Sequence, residues 1–257
     1  MSDSLGDRMK QYEYDFSYTV PRDMPIMMRL DGKAFHTYTR GLEKPFSQLI
    51  IDAMWETAMV LCSEIQNARL AYIQSDEITI LIYPRRLFES EPWFGNKIQK
   101  MVSVSAGIAS GVMSLESNKI FSKPKRACFD SRVWVLPSHE VCNAFIWRQQ
   151  DWTRNSVQML ARSLYSHSIL HGKDNSELQE MCFKQGRNWN DLPLYLRRGA
   201  CLVRKQYTAP SNSHPFRSPD ESGEPSIRYK WVVDKNIPIF SQDRNYIDKH
   251  LEVLETE

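Results

Sequence analysis

Apolar and polar residues along the first half of the chain fall into blocks that switch between the period of a strand and that of a helix. Residues 4–14 read as a short helix with Ser4 as its N-cap. Residues 24–30 form an apolar strand that runs into Asp31-Gly32, where Gly32 is expected to allow a tight turn. Over 47–67, Leu49, Ile50, Ala53, Met54, Thr57, Met59, Val60 and Leu61 recur at helical spacing. Two β-rich runs, 71–74 and 78–83, flank Ser75-Asp76-Glu77, which reads as a hairpin tip. A second helix is predicted over 94–114, rich in small residues from Ser103 to Gly111 that permit close packing on a sheet, and a strand near 127–136.

Strand, helix, strand, strand, helix, strand is the ferredoxin-like order of an α+β protein. It places helices on one face of an antiparallel sheet and leaves the other face open. Beyond it, 138–185 is mostly helical, 188–196 is a loop around Pro193, and strands are expected over 200–207 and 227–233. Between those strands, 208–226 carries Pro210, Pro215, Pro219 and Pro225 among Ser, Asn and Asp, and reads as a mobile loop. The chain therefore divides into a sheet unit, 1–137, and an extension of helices and strands, 138–257, packed on it.

Composition narrows the function classes. With 257 residues, 42% hydrophobic and 25% charged, the chain can bury a substantial core. A net charge of +2 gives no overall basic character, so a nucleic-acid partner must be met by local patches. The five cysteines are scattered, odd in number and without a CxxC pair. That disfavours a zinc site or disulfide framework and suits free thiols in a reducing compartment. Neither a signal peptide nor a membrane span is visible, so a cytoplasmic location is expected.

The candidate chemistry lies in two acids. In a βαββαβ sheet the first strand runs beside the central hairpin, so Asp31 at its end and Asp76 at the hairpin tip can meet at one edge. Taken singly, Asp-Gly is a turn signal and Ser-Asp-Glu a solvated tip. Taken together, two close carboxylates repel and need a cation. Oxygen ligands that leave room for water and phosphate suit Mg²⁺, and two such ions could clamp both the attacking and leaving oxygens of a phosphoryl displacement.

The residues around these acids carry a resemblance. Residues 28–36, MRLDGKAFH, and 72–77, YIQSDE, resemble the paired signatures of the tRNA-histidine guanylyltransferase superfamily, with similar separation. Lys44-Pro45, the WRQQD block at 147–151, Asn188-Trp189-Asn190 and Leu192-Pro193 match further blocks. The resemblance implies a polymerase-like palm that adds nucleotides to RNA 5′ ends in the 3′-5′ direction. It implies that Asp31, the Gly32 carbonyl and Asp76 bind two Mg²⁺ ions, with Glu77 in support. Backbone amides from Lys33, Ala34, Phe35 and His36 would cradle the triphosphate of ATP, GTP or another NTP. Lys44 and Ser75 would approach it, Arg29 and Lys97 would help hold phosphates, and Lys173 resembles a family lysine near the activated 5′ end. It also implies a tRNA partner and a homotetramer. Where eukaryotic members follow the WRQxD block with a His-Ile-Asn motif, this chain has Thr153 in place of the His. That departure resembles the bacterial and archaeal guanylyltransferase-like branch, which repairs 5′-truncated tRNA against a template.

Lys184, Arg187, Arg197, Arg198, Arg204 and Lys205, interleaved with Trp189 and Tyr195, read as a candidate RNA-backbone patch. Lys119, Lys123, Lys125, Arg126 and Arg132 form a second, weaker one. His167 and His171 read as a helix C-terminus before Gly172 rather than as metal ligands. Alternatives are dedicated guanylate addition to tRNA-histidine, a nucleotidyl cyclase on the same sheet, and a non-catalytic RNA-binding protein.

Overall fold

The computed structural model describes residues 4–84, 91–209 and 226–252. Its strands are β1 (Ile26–Gly32), β2 (Ala68–Gln74), β3 (Glu77–Ile82), β4 (Phe129–Val135), β5 (Ala200–Ala209) and β6 (Ser226–Asp234). The helices are α1 (Leu5–Tyr14), α2 (Phe35–Tyr38), α3 (Gln48–Glu64), α4 (Ile98–Ile120), α5 (Ser138–Leu164), α6 (His167–Leu170), α7 (Asn175–Lys184), α8 (Leu194–Arg198) and α9 (Asn245–Asp248). One six-stranded sheet runs in the order β4-β1-β3-β2-β5-β6, antiparallel at every junction. The first four strands have the expected ferredoxin-like order, and β5 and β6 lengthen the same sheet beyond β2.

Every residue of β2 and β3 is buried, so the sheet needs a layer on each face. On one side Met28, Leu30, Ile73, Ile78 and Ile80 pack against Met54, Ala58 and Leu61 of α3 and Met101, Ala109 and Met113 of α4. On the other, Met27, Leu70, Tyr72 and Leu81 pack against Val141, Cys142 and Phe145 of α5 and against Phe240. The expectation of an open second face is thus corrected. Met27, Leu70, Tyr72 and Leu81 give part of that face an apolar surface, which α5 covers, while the polar residues of β1 and β3 follow on the same face toward Asp31.

Several boundaries differ from expectation. β1 includes Asp31 and Gly32. α4 starts at Ile98, after a 3₁₀ turn in which Phe94, Gly95 and Asn96 all have positive φ, and runs on to Ile120. The 188–196 segment is not plain loop, since it contains a 3₁₀ turn (Trp189–Asp191) and the start of α8. His167 and His171 bracket the single turn α6 rather than closing a long helix, so no sizeable dipole reaches them. The four prolines read as a mobile loop lie outside the described residues. All five cysteines are free. Among the described residues, no helix is long and apolar enough to cross a membrane.

Candidate active site

The sheet register assembles the acids. Asp31 lies opposite Asp130 on one side and Glu77 on the other, and Glu77 lies opposite Gln74, so four polar residues form one rung. The next rung on the same face carries Arg132, Arg29, Thr79 and Tyr72. Ser75, at φ 48°, starts the turn between β2 and β3. The Gly32 amide donates to the Asp76 carbonyl at 3.0 Å, which ties the end of β1 to the hairpin turn. Asp31 and Asp76 therefore share one corner of the sheet.

Gly32 earns its place differently from the expected turn. It remains in the strand, and a Cβ there would lie 2.3 Å from Phe35 Cδ2. The missing side chain lets the Phe35 ring lie against β1, where it stacks on Tyr38 at 4.8 Å and meets Phe129 edge-on at 5.2 Å. This contact seats α2 beside Asp31. Ala34, at φ 55°, begins α2. Strained backbone of this kind is held in place by its surroundings and gathers at functional sites.

Burial raises the Asp31 carboxyl above its ordinary range, with Glu77 and Asp130 adding to the rise and Arg132 and Arg29 opposing it. Burial also pushes Asp76 up to about 6; the Ser75 hydroxyl and the backbone amide of Asp76 draw it down, while Asp31 and Glu77 push it up. Glu77, by contrast, is neutralised inside the protein. Arg148 donates to both its oxygens, at 2.7 and 2.6 Å, and to Asp151 at 2.9 Å. Gln74 also donates to Glu77, at 2.8 Å. The pair left without such a partner is Asp31 and Asp76, and two desolvated carboxylates at one corner fit a divalent cation. Among the described residues, no three His, Cys, Asp or Glu side chains converge as a metal cage. Two carboxylates supplemented by backbone oxygen, water and phosphate match the habits of Mg²⁺ rather than of zinc.

A cavity of about 560 Å³ opens from this corner. Asp31, Gly32, Ala34, Phe35, His36, Lys44, Ser75 and Asp76 line it, so most of the expected site is brought together. Leu42, Phe46, Ile50, Trp55 and Trp152 give much of its lining an apolar character. The amides of Ala34, Phe35 and His36 have no hydrogen-bond acceptor among the described residues. Lys33 is a correction: its amide donates to the Cys128 carbonyl at 2.8 Å and is spent on the sheet edge. Arg29 does not line the cavity; it lies 4.0 Å from Glu77 and 5.5 Å from the Trp147 ring. Lys97 also stands apart, bridging Thr19 at the head of α4. Lys173 is bonded to Glu177 at 2.8 Å, outside the cavity.

The basic patch is divided. Arg197 donates to the Leu192 carbonyl and Arg198 to the Ile237 carbonyl, so both are half-buried braces. Arg204 stacks near Tyr229 and Trp231, while Lys205, the next residue along β5, points to the opposite face. Arg187 and Lys205 are exposed. In the second patch Lys125 lies 3.7 Å over the Phe121 ring and donates to the Tyr38 carbonyl. Sequence reasoning missed Arg148 as the partner of Glu77, although it stands in the WRQQD block, and Trp152 and Arg162 as cavity walls.

Comparison with known proteins agrees with this geometry. Residues 6–137 match the tRNAHis guanylyltransferase (Thg1) family. A bacterial tRNA(His) guanylyltransferase (Thg1)-like protein in complex with ATP superposes with a TM-score of 0.85 and 38% identity, covering 96% of this chain and 99% of its own. The probable tRNA(His) guanylyltransferase of Drosophila melanogaster is 28% identical over 223 residues, 80% of this chain and 75% of that protein. The Saccharomyces cerevisiae enzyme, at 22% identity and a TM-score of 0.64 over 75% of this chain and 91% of its own, shares the fold. A corner of unpaired carboxylates on a ferredoxin-like sheet, with this likeness along nearly all its length, makes the chain a nucleotidyltransferase that belongs to the tRNAHis guanylyltransferase family.

Proposed function

We propose that the chain is a Mg²⁺-dependent 3′-5′ nucleotidyltransferase that rebuilds 5′-truncated tRNA against a template. The observation that carries this reading is that Asp31 and Asp76 line one cavity together with Lys44 and a set of apolar and aromatic residues. The carboxylates of Asp31 and Asp76, with the Gly32 carbonyl, would hold two Mg²⁺ ions, which neutralise phosphate charge and align the reacting oxygens. The amides of Ala34, Phe35 and His36 offer donors to a triphosphate, Lys44 adds a positive charge, and the wall of Leu42, Phe46 and Trp55 receives a base.

The chemistry consists of two in-line displacements at phosphorus, served by positioning and charge. The RNA 5′-monophosphate attacks ATP and releases pyrophosphate, leaving an adenylylated 5′ end. The 3′-hydroxyl of the incoming nucleotide then attacks that phosphate, and AMP departs. Arg148 holds Glu77 paired throughout, so its charge is not added to that of the metal-binding acids.

Template direction, rather than dedicated guanylate addition, is supported at Thr153. Its hydroxyl donates back to the Gln149 carbonyl at 2.9 Å, inside α5, so it offers no imidazole where eukaryotic members carry His. A homotetramer is supported by α1, which buries none of its residues and exposes Leu5, Met9 and Tyr12. Free thiols suit a cytoplasmic location.

The test is to incubate the protein with a 5′-truncated, monophosphorylated tRNA, ATP, all four NTPs and Mg²⁺. Extension is expected, with the added nucleotide following a swap of the opposing template base. No extension on any template sinks the proposal, while extension that ignores the swap sinks its templating.

A further inference from the structure

A second cavity, of about 180 Å³, opens where α5, α6 and α7 meet. Arg162, His167, His171 and Lys173 line it with Gln158 and Leu178. The local backbone explains the gathering. α5 ends at Leu164, α6 supplies one turn, and Gly172 at φ +75° reverses the chain toward α7. The rings of His167 and His171 consequently lie 6.2 Å apart between centroids and tilted by 38°.

Two imidazoles four residues apart are also the pattern of a metal clip on a helix. Their neighbours decide between cation and anion. Arg162 and Lys173 bring fixed positive charge to the same small space, which repels a divalent cation and attracts an anion. The acids at the rim are already engaged. Glu177 accepts from Lys173 and from the Asp174 amide, and Asp174 caps α7 by accepting from the Glu177 amide. Lys173 has two ammonium donors left after bonding Glu177.

Size and exposure identify the anion. The cavity is smaller than the 300–1,000 Å³ or so that a nucleotide-sized ligand fills, yet it admits a phosphate group. His167, His171 and Lys173 are exposed, open to a chain passing over the surface. Arg162 also lines the large cavity, so the two spaces adjoin. Arg162 stands about four turns of α5 beyond Arg148, roughly 20 Å along the helix axis. We infer that the α5–α6–α7 junction is a phosphate site for the backbone of the RNA substrate, beside the cavity that Asp31 and Asp76 line. The inference rests on tRNA being the substrate, as proposed above.

The test uses the full chain and a labelled 5′-truncated tRNA in a binding titration at several salt concentrations. The His167→Ala/His171→Ala protein is expected to bind the tRNA about tenfold more weakly. Its ATP binding, measured without RNA, stays at the wild-type level. The His167→Arg/His171→Arg protein keeps or tightens tRNA binding, because a guanidinium donates to phosphate at least as well as an imidazole does. Wild-type tRNA affinity in the alanine protein overturns the inference, and so does loss of ATP binding with tRNA binding intact, which would make this a triphosphate site. An arginine protein as weak as the alanine one also overturns it. Wild-type protein that binds no tRNA overturns the proposed substrate itself and this site with it.

Discussion

Arg148 holds both oxygens of the Glu77 carboxylate, through Nε at 2.7 Å and a terminal nitrogen at 2.6 Å. Glu77 stands opposite Asp31 in the sheet, and both partners of the pair are buried. Arg148→Ala would leave an unpaired acid in the interior beside the Asp31/Asp76 corner. The expected cost is about 3–5 kcal/mol of folding stability, read by urea unfolding. Pairing it with Glu77→Gln should recover most of that loss, because the uncompensated charge goes too. A double variant no more stable than Arg148→Ala alone would show that the pair is not the source of the effect.

Asp76 ties stability to pH in the metal-free protein. Its carboxyl is raised from 3.8 to about 6 in the folded state, so the fold holds this proton more tightly than the unfolded chain does. The contribution is complete below about pH 4 and is lost as pH rises through about 6. Asp76→Asn removes the dependence. At pH 7.5 and without metal, this variant should melt several degrees above the wild type, and at pH 4 the two should be close. Mg²⁺ should raise the melting temperature of the wild type and not of the variant. Nucleotide transfer should be abolished in Asp76→Asn; retained transfer would refute the metal role.

Gly32→Ala places a methyl group 2.3 Å from the Phe35 ring. The ring is buried against Tyr38 and Phe129 and has little room to give. Overpacking of this kind costs roughly 1–3 kcal/mol, and here it should also shift α2 and raise the KM for ATP. Combining it with Phe35→Ala should cost less than the two single changes summed, since the clash is then gone. Additive losses would place the strain elsewhere.

The basic residues should separate into braces and contacts. Arg198 supports the Ile237 carbonyl, so Arg198→Ala should lower the melting temperature whatever it does to RNA binding. Arg187→Ala and Lys205→Ala should leave melting unchanged and weaken tRNA binding, each reducing the salt slope by about one. Unaltered affinity in both would remove them from the RNA surface.

The sequence by itself determined the apolar, β-rich runs of β1, β2 and β3, the helical periods of α3 and α4, and the positions of Asp31 at a strand end and Asp76 at the hairpin tip. These are local properties: a period of two or of 3.6 states which side of an element is apolar, and a polar break states where it ends. The flanking motifs made the family legible as well. Tertiary structure alone decided what each element meets. Glu77 and Arg148, seventy-one positions apart, become partners only when α5 crosses the second face of the sheet. The Lys33 amide is withdrawn from the cavity because the sheet edge at Cys128 claims it. Gly32 is required by a ring three residues ahead rather than by a turn. Arg204 and Lys205, adjacent in the chain, are sent to opposite faces by the pleat. Each of these depends on a pairing or packing contact between distant segments, and local periodicity carries no information about which distant segment arrives.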